Sequence, residues 1–551
     1  MDHTLSPLEK AQLAFKPPLP LLLEKLSDLE QVPLDFSSQG DEIKSLFPKT
    51  FGQRGVHFIK GEGLKKQPPL KVGVILSGGQ AAGGHNVIIG LFDALKAFNE
   101  HSTLIGFLNG PQGVIENQYK ELTEDVLARF RNTGGFDLIG SGRTKIATEK
   151  QLTASLETCR QHDLNALVII GGDDSNTNAA ILAEVFLGKE CKTQVIGVPK
   201  TIDGDLKNQY IESSFGFDTA CKIYSEMIGN ICRDALSAKK YTHFIKLMGR
   251  SASHIAIECA LQTHPNLTII GEEISFHNTT LLELTLEIAN LIEERAKIDK
   301  HYGVILIPEG LIEFIPEMKK LIEELNPLLA LHASKIDALP SGEKRKALLW
   351  PLLSQNAQEL LNIFPETIIN QLLLDRDPHG NIQVSHIETE KLLIATVRAE
   401  LTRRGKAERF SPVAHFFGYE GRCGFPSFFD ATYCNALGRT AALLINHGLT
   451  GYLSCLQNLQ RGVDHWVPCG VPITDLLVLE ERKGKRVPVI EKAFVDLKGM
   501  PFGRFAELRK SWGLEDNYRY PGPIQFFGPK EIVQATTLTL SLEHEKAPTT
   551  I

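Results

Sequence analysis

None of the nine cysteines in the 551-residue sequence forms a C-x-x-C pair; they are scattered from Cys159 to Cys469 and odd in number. A disulfide framework has no pattern to rest on, and reduced thiols are expected. No run approaches the roughly 18 apolar residues that a membrane-spanning helix requires. The first residues, MDHTLSPLEKAQLAF, lack a basic start followed by an apolar stretch, so no secretory leader is expected and a cytoplasmic location is. Positive charge is not in excess: 59 Lys and Arg stand against 66 Asp and Glu, a formal net charge of -7. That balance argues against nucleic acid or membrane as a partner, so an anionic ligand must be held by local basic residues. Short internal repeats and low-complexity tracts are missing too. What remains, 42% hydrophobic and 23% charged residues, is ordinary globular composition, long enough for two or three domains.

The texture changes at Pro69. Residues 1–68 read as an N-terminal extension with Pro-rich stretches such as KPPLPLLLEKL. Beyond them, short apolar runs end repeatedly in Gly- or Asp-rich loops. PLKVGVIL (69–76), LNALVII (164–170), QVIGVP (194–199), THFIKLM (242–248), LTII (267–270) and YGVILIP (302–308) are the main ones. Runs apolar on both faces suit parallel strands buried between helix layers. Their alternation with helical patterns predicts an α/β fold of two doubly wound, Rossmann-like parallel-sheet domains. The first is placed at 69–238, completed by 480–551, and the second at 239–310 with 406–479. Residues 311–405, mainly helical in pattern and interrupted by the turn DPHGN (377–381), read as a helical insertion. Thr280 to Lys297 reads as an amphipathic helix opened by a capping box of Thr280 and Glu283.

Ligands in such sheets bind beyond the carboxyl ends of the strands, and every polar cluster sits there. The glycines of SGGQAAGGHN (77–86), Gly78 and Gly79 among them, suit either a phosphate seat ahead of a helix or mere tight packing. His85 reads as a helix-start residue rather than a catalyst. In GGDDSN, Asp173 suits Mg²⁺ held together with phosphate oxygens, or a helix N-cap. Asp174 is a candidate for that cap, yet one cap does not account for two carboxylates. In GVPKTIDGDLKN (197–208), Lys200 offers a compact charge, with Asp203 and Asp205 two apart around Gly204. Phosphoryl transfer needs such charge and a carboxylate that accepts the proton of the attacking hydroxyl. An Asx-turn with an exposed lysine also fits this loop. Arg143 with Lys145, Arg250, and Arg422 with Tyr419 and Glu420 lie in three further loops. Each suits a surface ion pair, but together they point to two phosphate-bearing ligands or one with several phosphates.

Taken in order, GGQAAGGHN, GSGRTK, GGDDSNTNA, PKTIDGDLK, LMGR, GEE and YEGRCGFPS resemble the motifs of the phosphofructokinase family, in particular its long pyrophosphate-dependent branch. They cover 70–430, and YRYPGPIQFFGP (518–529) extends the likeness. The resemblance implies Mg²⁺-dependent, reversible phosphoryl transfer between pyrophosphate and the 1-hydroxyl of fructose 6-phosphate, giving fructose 1,6-bisphosphate and phosphate in glycolysis and gluconeogenesis. It also implies a homodimer. By motif it makes Asp203 the general base, supported by Asp205, and puts Thr201 at the transferring phosphoryl or the sugar hydroxyl. Asp173 becomes the Mg²⁺ ligand. Gly78 and Gly79 become backbone donors to the phosphates, and Lys200 and Arg143 neutralise charge. Met248, Gly249, Arg250 and Glu272 become fructose 6-phosphate contacts, with Tyr419 and Arg422 on the 6-phosphate. ATP-using relatives carry Gly where Asp174 stands, so the resemblance assigns Asp174 to excluding the nucleotide α-phosphate. The first domain is then the donor-binding one and the second takes the sugar phosphate. Departures from the family pattern are Ala82 in place of a proline, two adjacent candidates in Glu272 and Glu273, and Lys239, Lys240 and Lys246 where short relatives have arginines. The alternatives are an ATP-dependent 6-phosphofructokinase and a non-catalytic regulatory subunit.

Overall fold

The computed structural model describes residues 5–34, 40–61, 68–374, 382–482, 485–521 and 530–544. The turn at 377–381 and residues 522–529 of the C-terminal motif lie outside the described residues. The chain divides into two units. Met1–Lys222, Glu420–Ala493 and Ile524–His544 form the first, and Ile223–Tyr419 with Phe494–Pro523 belong to the second.

The first unit begins with β1 (Leu29–Leu34), β2 (Gly55–Lys60), β3 (Lys71–Leu76), β4 (Thr103–Phe107), β5 (Tyr119–Glu121), β6 (Ala166–Gly171), β7 (Gln194–Thr201) and β8 (Phe215–Gly216). The second carries β9 (Thr242–Leu247), β10 (Leu267–Thr268), β11 (Gly303–Pro308) and β12 (Pro412–Phe417). The chain returns to the first unit with β13 (Tyr452–Gln457) and β14 (Val467–Pro472), then a hairpin of β15 (Leu477–Arg482) and β16 (Lys485–Ile490).

The described strands of the first sheet run β1-β2-β14-β13-β7-β6-β3-β4-β5, with β8 on β7. Its centre, β13-β7-β6-β3-β4, is parallel. β6 is buried along its whole length, as a strand covered on both faces must be. The second sheet, β10-β11-β9-β12, is parallel throughout.

Three expectations are corrected. Residues 1–68 are not only an extension, because β1 and β2 pair with each other and β2 continues onto β14. Within 406–479, β13 and β14 join the first sheet instead of the second. Within 480–551, the helix Met500–Leu514 belongs to the second unit. The reason is common to all three: an apolar run announces a strand, but which sheet it joins is decided by long-range packing that no local pattern encodes. The helices of 311–405 share one core with the second sheet, where Ile305 and Ile307 cluster with Leu325, Leu361, Leu372 and Leu393. The Thr280 capping box is present, with Glu283 N donating to Thr280 Oγ1 at 3.2 Å. Among the described residues no helix is long and apolar enough to cross a membrane.

Helices Gly84–Phe98 and Phe428–Asn446 approach closely in the first unit because each offers a glycine. A Cβ on Gly90 would lie 2.1 Å from Asn435 O, and one on Gly438 2.1 Å from Val87 O. Gly438→Ala is therefore expected to destabilise the fold by about 1–3 kcal/mol, the usual cost of overpacking. Urea denaturation checks this, and an unchanged midpoint would mean that the helices separate freely.

Candidate functional site

Register puts the chemistry-bearing loops of the first unit on one edge. Leu76 pairs with Ile170 and Gly171 with Pro199, so β3, β6 and β7 end together. After β3, Gly78 adopts φ +85°, which favours glycine, and its N–H donates to Gly142 O at 2.9 Å. This bond, with the bridge between Ser77 and Gly142, ties the Arg143 loop to the first glycine loop. A Cβ on Gly79 would lie 3.7 Å from Arg143 Nη2 and 3.8 Å from Arg422 Nη1, and one on Gly78 3.6 Å from Lys200 Nζ. Three cations therefore face the backbone of Gly78 and Gly79, just ahead of the helix Gly84–Phe98. Packing alone gives no reason to gather cations there; a bound polyanion does. His85 is buried and accepts from Leu138 N at 3.3 Å, and burial pushes its imidazole down to about 4, so it is a neutral core group.

After β6 the helix starts at Asp173, earlier than GGDDSNTN suggests, and its N-cap is Gly172 without a side-chain cap bond. Neither aspartate is the cap. Asp173 and Asp174 are the first two helical residues, where the macrodipole favours carboxylates. Asp173 is half-buried and Asp174 exposed.

After β7, Lys200 is buried in the strand, which sets aside the turn with an exposed lysine. The Thr201 hydroxyl accepts from Asp203 N at 3.0 Å and sets the start of the carboxylate loop. Gly204 turns the chain at φ +75° and leaves Asp205 buried. Burial first, then the charges of Asp203 and Asp173, push the Asp205 carboxyl up to about 7 against the opposing pull of Lys492. Lys492, which no motif marks, stands 3.7 Å from Asp173 Oδ2. Four carboxylates, Asp173, Asp174, Asp203 and Asp205, and four cations thus occupy one sheet edge of the first unit.

The second unit has an equivalent edge. Leu247 pairs with both Pro308 and Phe417, so the loops after β9, β11 and β12 leave together. Met248 N donates to Phe417 O at 2.9 Å. Gly249 N donates to Glu309 Oε2 at 2.9 Å, and a Cβ on Gly310 would lie 2.1 Å from Arg250 O. Glu309 is thereby fixed under the Met248–Arg250 loop, whose Arg250 is exposed. Sequence reasoning passed over Glu309, although a glutamate and a glycine directly after a strand were signal enough. Glu272 Oε1 accepts from Ser253 N and Val495 N at 3.1 and 3.0 Å, while its Oε2 is buried with no hydrogen-bond partner among the described residues. The neighbouring Glu273 is committed to Arg509 through two bonds of 2.6 Å. Tyr419 is exposed at the end of this unit. Lys246 is engaged with Ile387 O and Glu390 and is a core residue. Arg422, one helical turn after Tyr419, reaches Gly79 in the first unit.

Among the described residues no group of three or more His, Cys, Asp or Glu side chains forms a metal cage. Mg²⁺ usually takes one or two carboxylates and leaves its other positions to phosphate oxygens and water, and Asp173 is a half-buried carboxylate at the glycine turn. Burial is the main reason the Asp205 carboxyl is raised, and the neighbouring Asp203 and Asp173 charges add to it; a divalent cation at Asp173 would relieve that second contribution.

Residues 71–340 match the family described as "Phosphofructokinase". A Porphyromonas gingivalis protein named pyrophosphate–fructose 6-phosphate 1-phosphotransferase is 51% identical over 543 residues, spanning 98% of this chain and 99% of the relative. One of the same name from Treponema pallidum is 52% identical over 516 residues, spanning 91% and 90%. Among solved structures, a pyrophosphate-dependent phosphofructokinase from Nitrosospira multiformis superposes with a TM-score of 0.54 over 87% of this chain and 98% of that one. At 13% identity that likeness speaks to the fold alone.

Proposed function

The chain belongs to the phosphofructokinase family, and from that premise we propose that it transfers phosphoryl reversibly between pyrophosphate and the 1-hydroxyl of fructose 6-phosphate. The observation that carries the donor assignment is the glycine loop faced by Lys200, Arg143 and Arg422, with paired aspartates opening the next helix. A short polyanion with no nucleoside attached matches that set of charges.

In this reading the backbone of Gly78 and Gly79 seats pyrophosphate. Lys200 and Arg143 neutralise the charge that shifts during transfer, and Arg422 joins them because of its place at Gly79. Asp173 would hold Mg²⁺, which would supply charge neutralisation to the phosphates. Asp203 accepts the proton of the fructose 1-hydroxyl, its loop set by Thr201, and Asp205 supports it from the buried side. Met248, Gly249, Arg250 and Tyr419 bind the sugar phosphate. Glu272 Oε2 supplies a hydroxyl acceptor, and Glu309 fixes the loop through Gly249. Asp174 places a second charge where a nucleotide's additional phosphate would pass. A homodimer is part of the same proposal, checked by sedimentation equilibrium.

A coupled assay tests the function. Turnover is expected with pyrophosphate and Mg²⁺, and little or none with ATP or after chelation. Preference for ATP would overturn the donor assignment, and a purified chain that turns over neither donor would point to a non-catalytic subunit.

A further inference from the structure

Lys492 follows the β15–β16 hairpin, outside every motif that carries the family likeness. Ala493 N donates to Asp205 O at 2.8 Å, which fixes the backbone next to Lys492 against the carboxylate loop. Its Nζ lies 3.7 Å from Asp173 Oδ2, each side chain 32% exposed, and its charge acts on Asp205 as well. An internal cation therefore sits on the carboxylate to which the proposed function assigns the metal.

Resting on that reading, we propose that Lys492 is a positioning residue of the donor site, whose ammonium holds the Asp173 carboxylate until a divalent cation takes its place. It has two opposite consequences. Metal binding to the free enzyme must displace Lys492, so the lysine weakens it. Pyrophosphate meets one more positive charge at the site, so the lysine strengthens its binding. A residue that merely supported the fold would weaken both when removed.

The test uses full-length Lys492→Met and Lys492→Arg, with Mn²⁺ as the metal probe followed by electron paramagnetic resonance in the absence of substrate. The pair is partly exposed, so its loss in the Met variant is expected to tighten Mn²⁺ binding by about two- to fivefold, while KM for pyrophosphate rises. The Arg variant keeps the charge and is expected to stay near wild type in both. Mn²⁺ binding that is unchanged or weaker in a folded Met variant overturns the proposal. Wild-type turnover on pyrophosphate separates this failure from a failure of the function itself.

Discussion

Asp203→Ala is expected to lower turnover by about a hundred- to ten-thousand-fold, the range a general base contributes, with KM for fructose 6-phosphate little changed. The expectation follows from how the loop is built. Asp203 is half-buried, on a backbone that Thr201 holds through a 3.0 Å bond, while Asp205 is enclosed behind Gly204. Of the two, Asp203 is the more open to a substrate hydroxyl. Asp205, which burial pushes up to about 7, is enclosed and serves as a fixed neighbour to the more open Asp203. Steady-state kinetics of Asp203→Ala beside Asp205→Asn separates the roles. A larger loss in the Asp205 variant would exchange them, and a near-normal rate in Asp203→Ala would remove Asp203 from the base position.

Asp174→Gly is the second large effect. It removes an exposed carboxylate from the second position of the helix Asp173–Gly188, and with it the charge proposed to repel a nucleotide. The ratio of ATP to pyrophosphate use is expected to rise by at least about tenfold, equivalent to about 1.4 kcal/mol. The same change loses a favourable dipole interaction of about 0.3–1 kcal/mol and brings in a poor helix former, so some stability is lost too. Donor kinetics must therefore be read on protein shown by thermal melting to be folded. Lys200, whose Nζ faces Gly78, supplies charge suited to a short polyanion, and a Lys200 variant combined with Asp174→Gly is the stronger case. If neither protein uses ATP detectably, charge at this helix start does not choose the donor.

Much of this site is legible in the sequence because it is built from backbone turns. Glycine and aspartate after an apolar run announce both the strand end and its loop, and the parallel register then brings those loops to one edge. Other parts are written less locally. The helix at Asp173 starts inside what reads as a loop, since Asp, Ser and Asn favour turns in isolation but are tolerated in a first helical turn. Lys492 acts as a single side chain brought in from the end of a distant hairpin, and it lies in no motif. Arg422 belongs to a recognisable one, but a motif fixes where the backbone goes and not where a long guanidinium arm ends.

The first sheet also has a history along the growing chain. Its strand β7 is complete by Thr201, yet its neighbour β13 begins only at Tyr452, and β2 waits for β14. The sheet that carries the proposed catalytic loops thus cannot close until most of the polypeptide has left the ribosome. The second sheet has all its strands by Phe417, in one uninterrupted stretch. During synthesis the strands of the second sheet can pair while the first sheet still presents unpaired β7 and β2 edges, the kind of surface that chaperones shield.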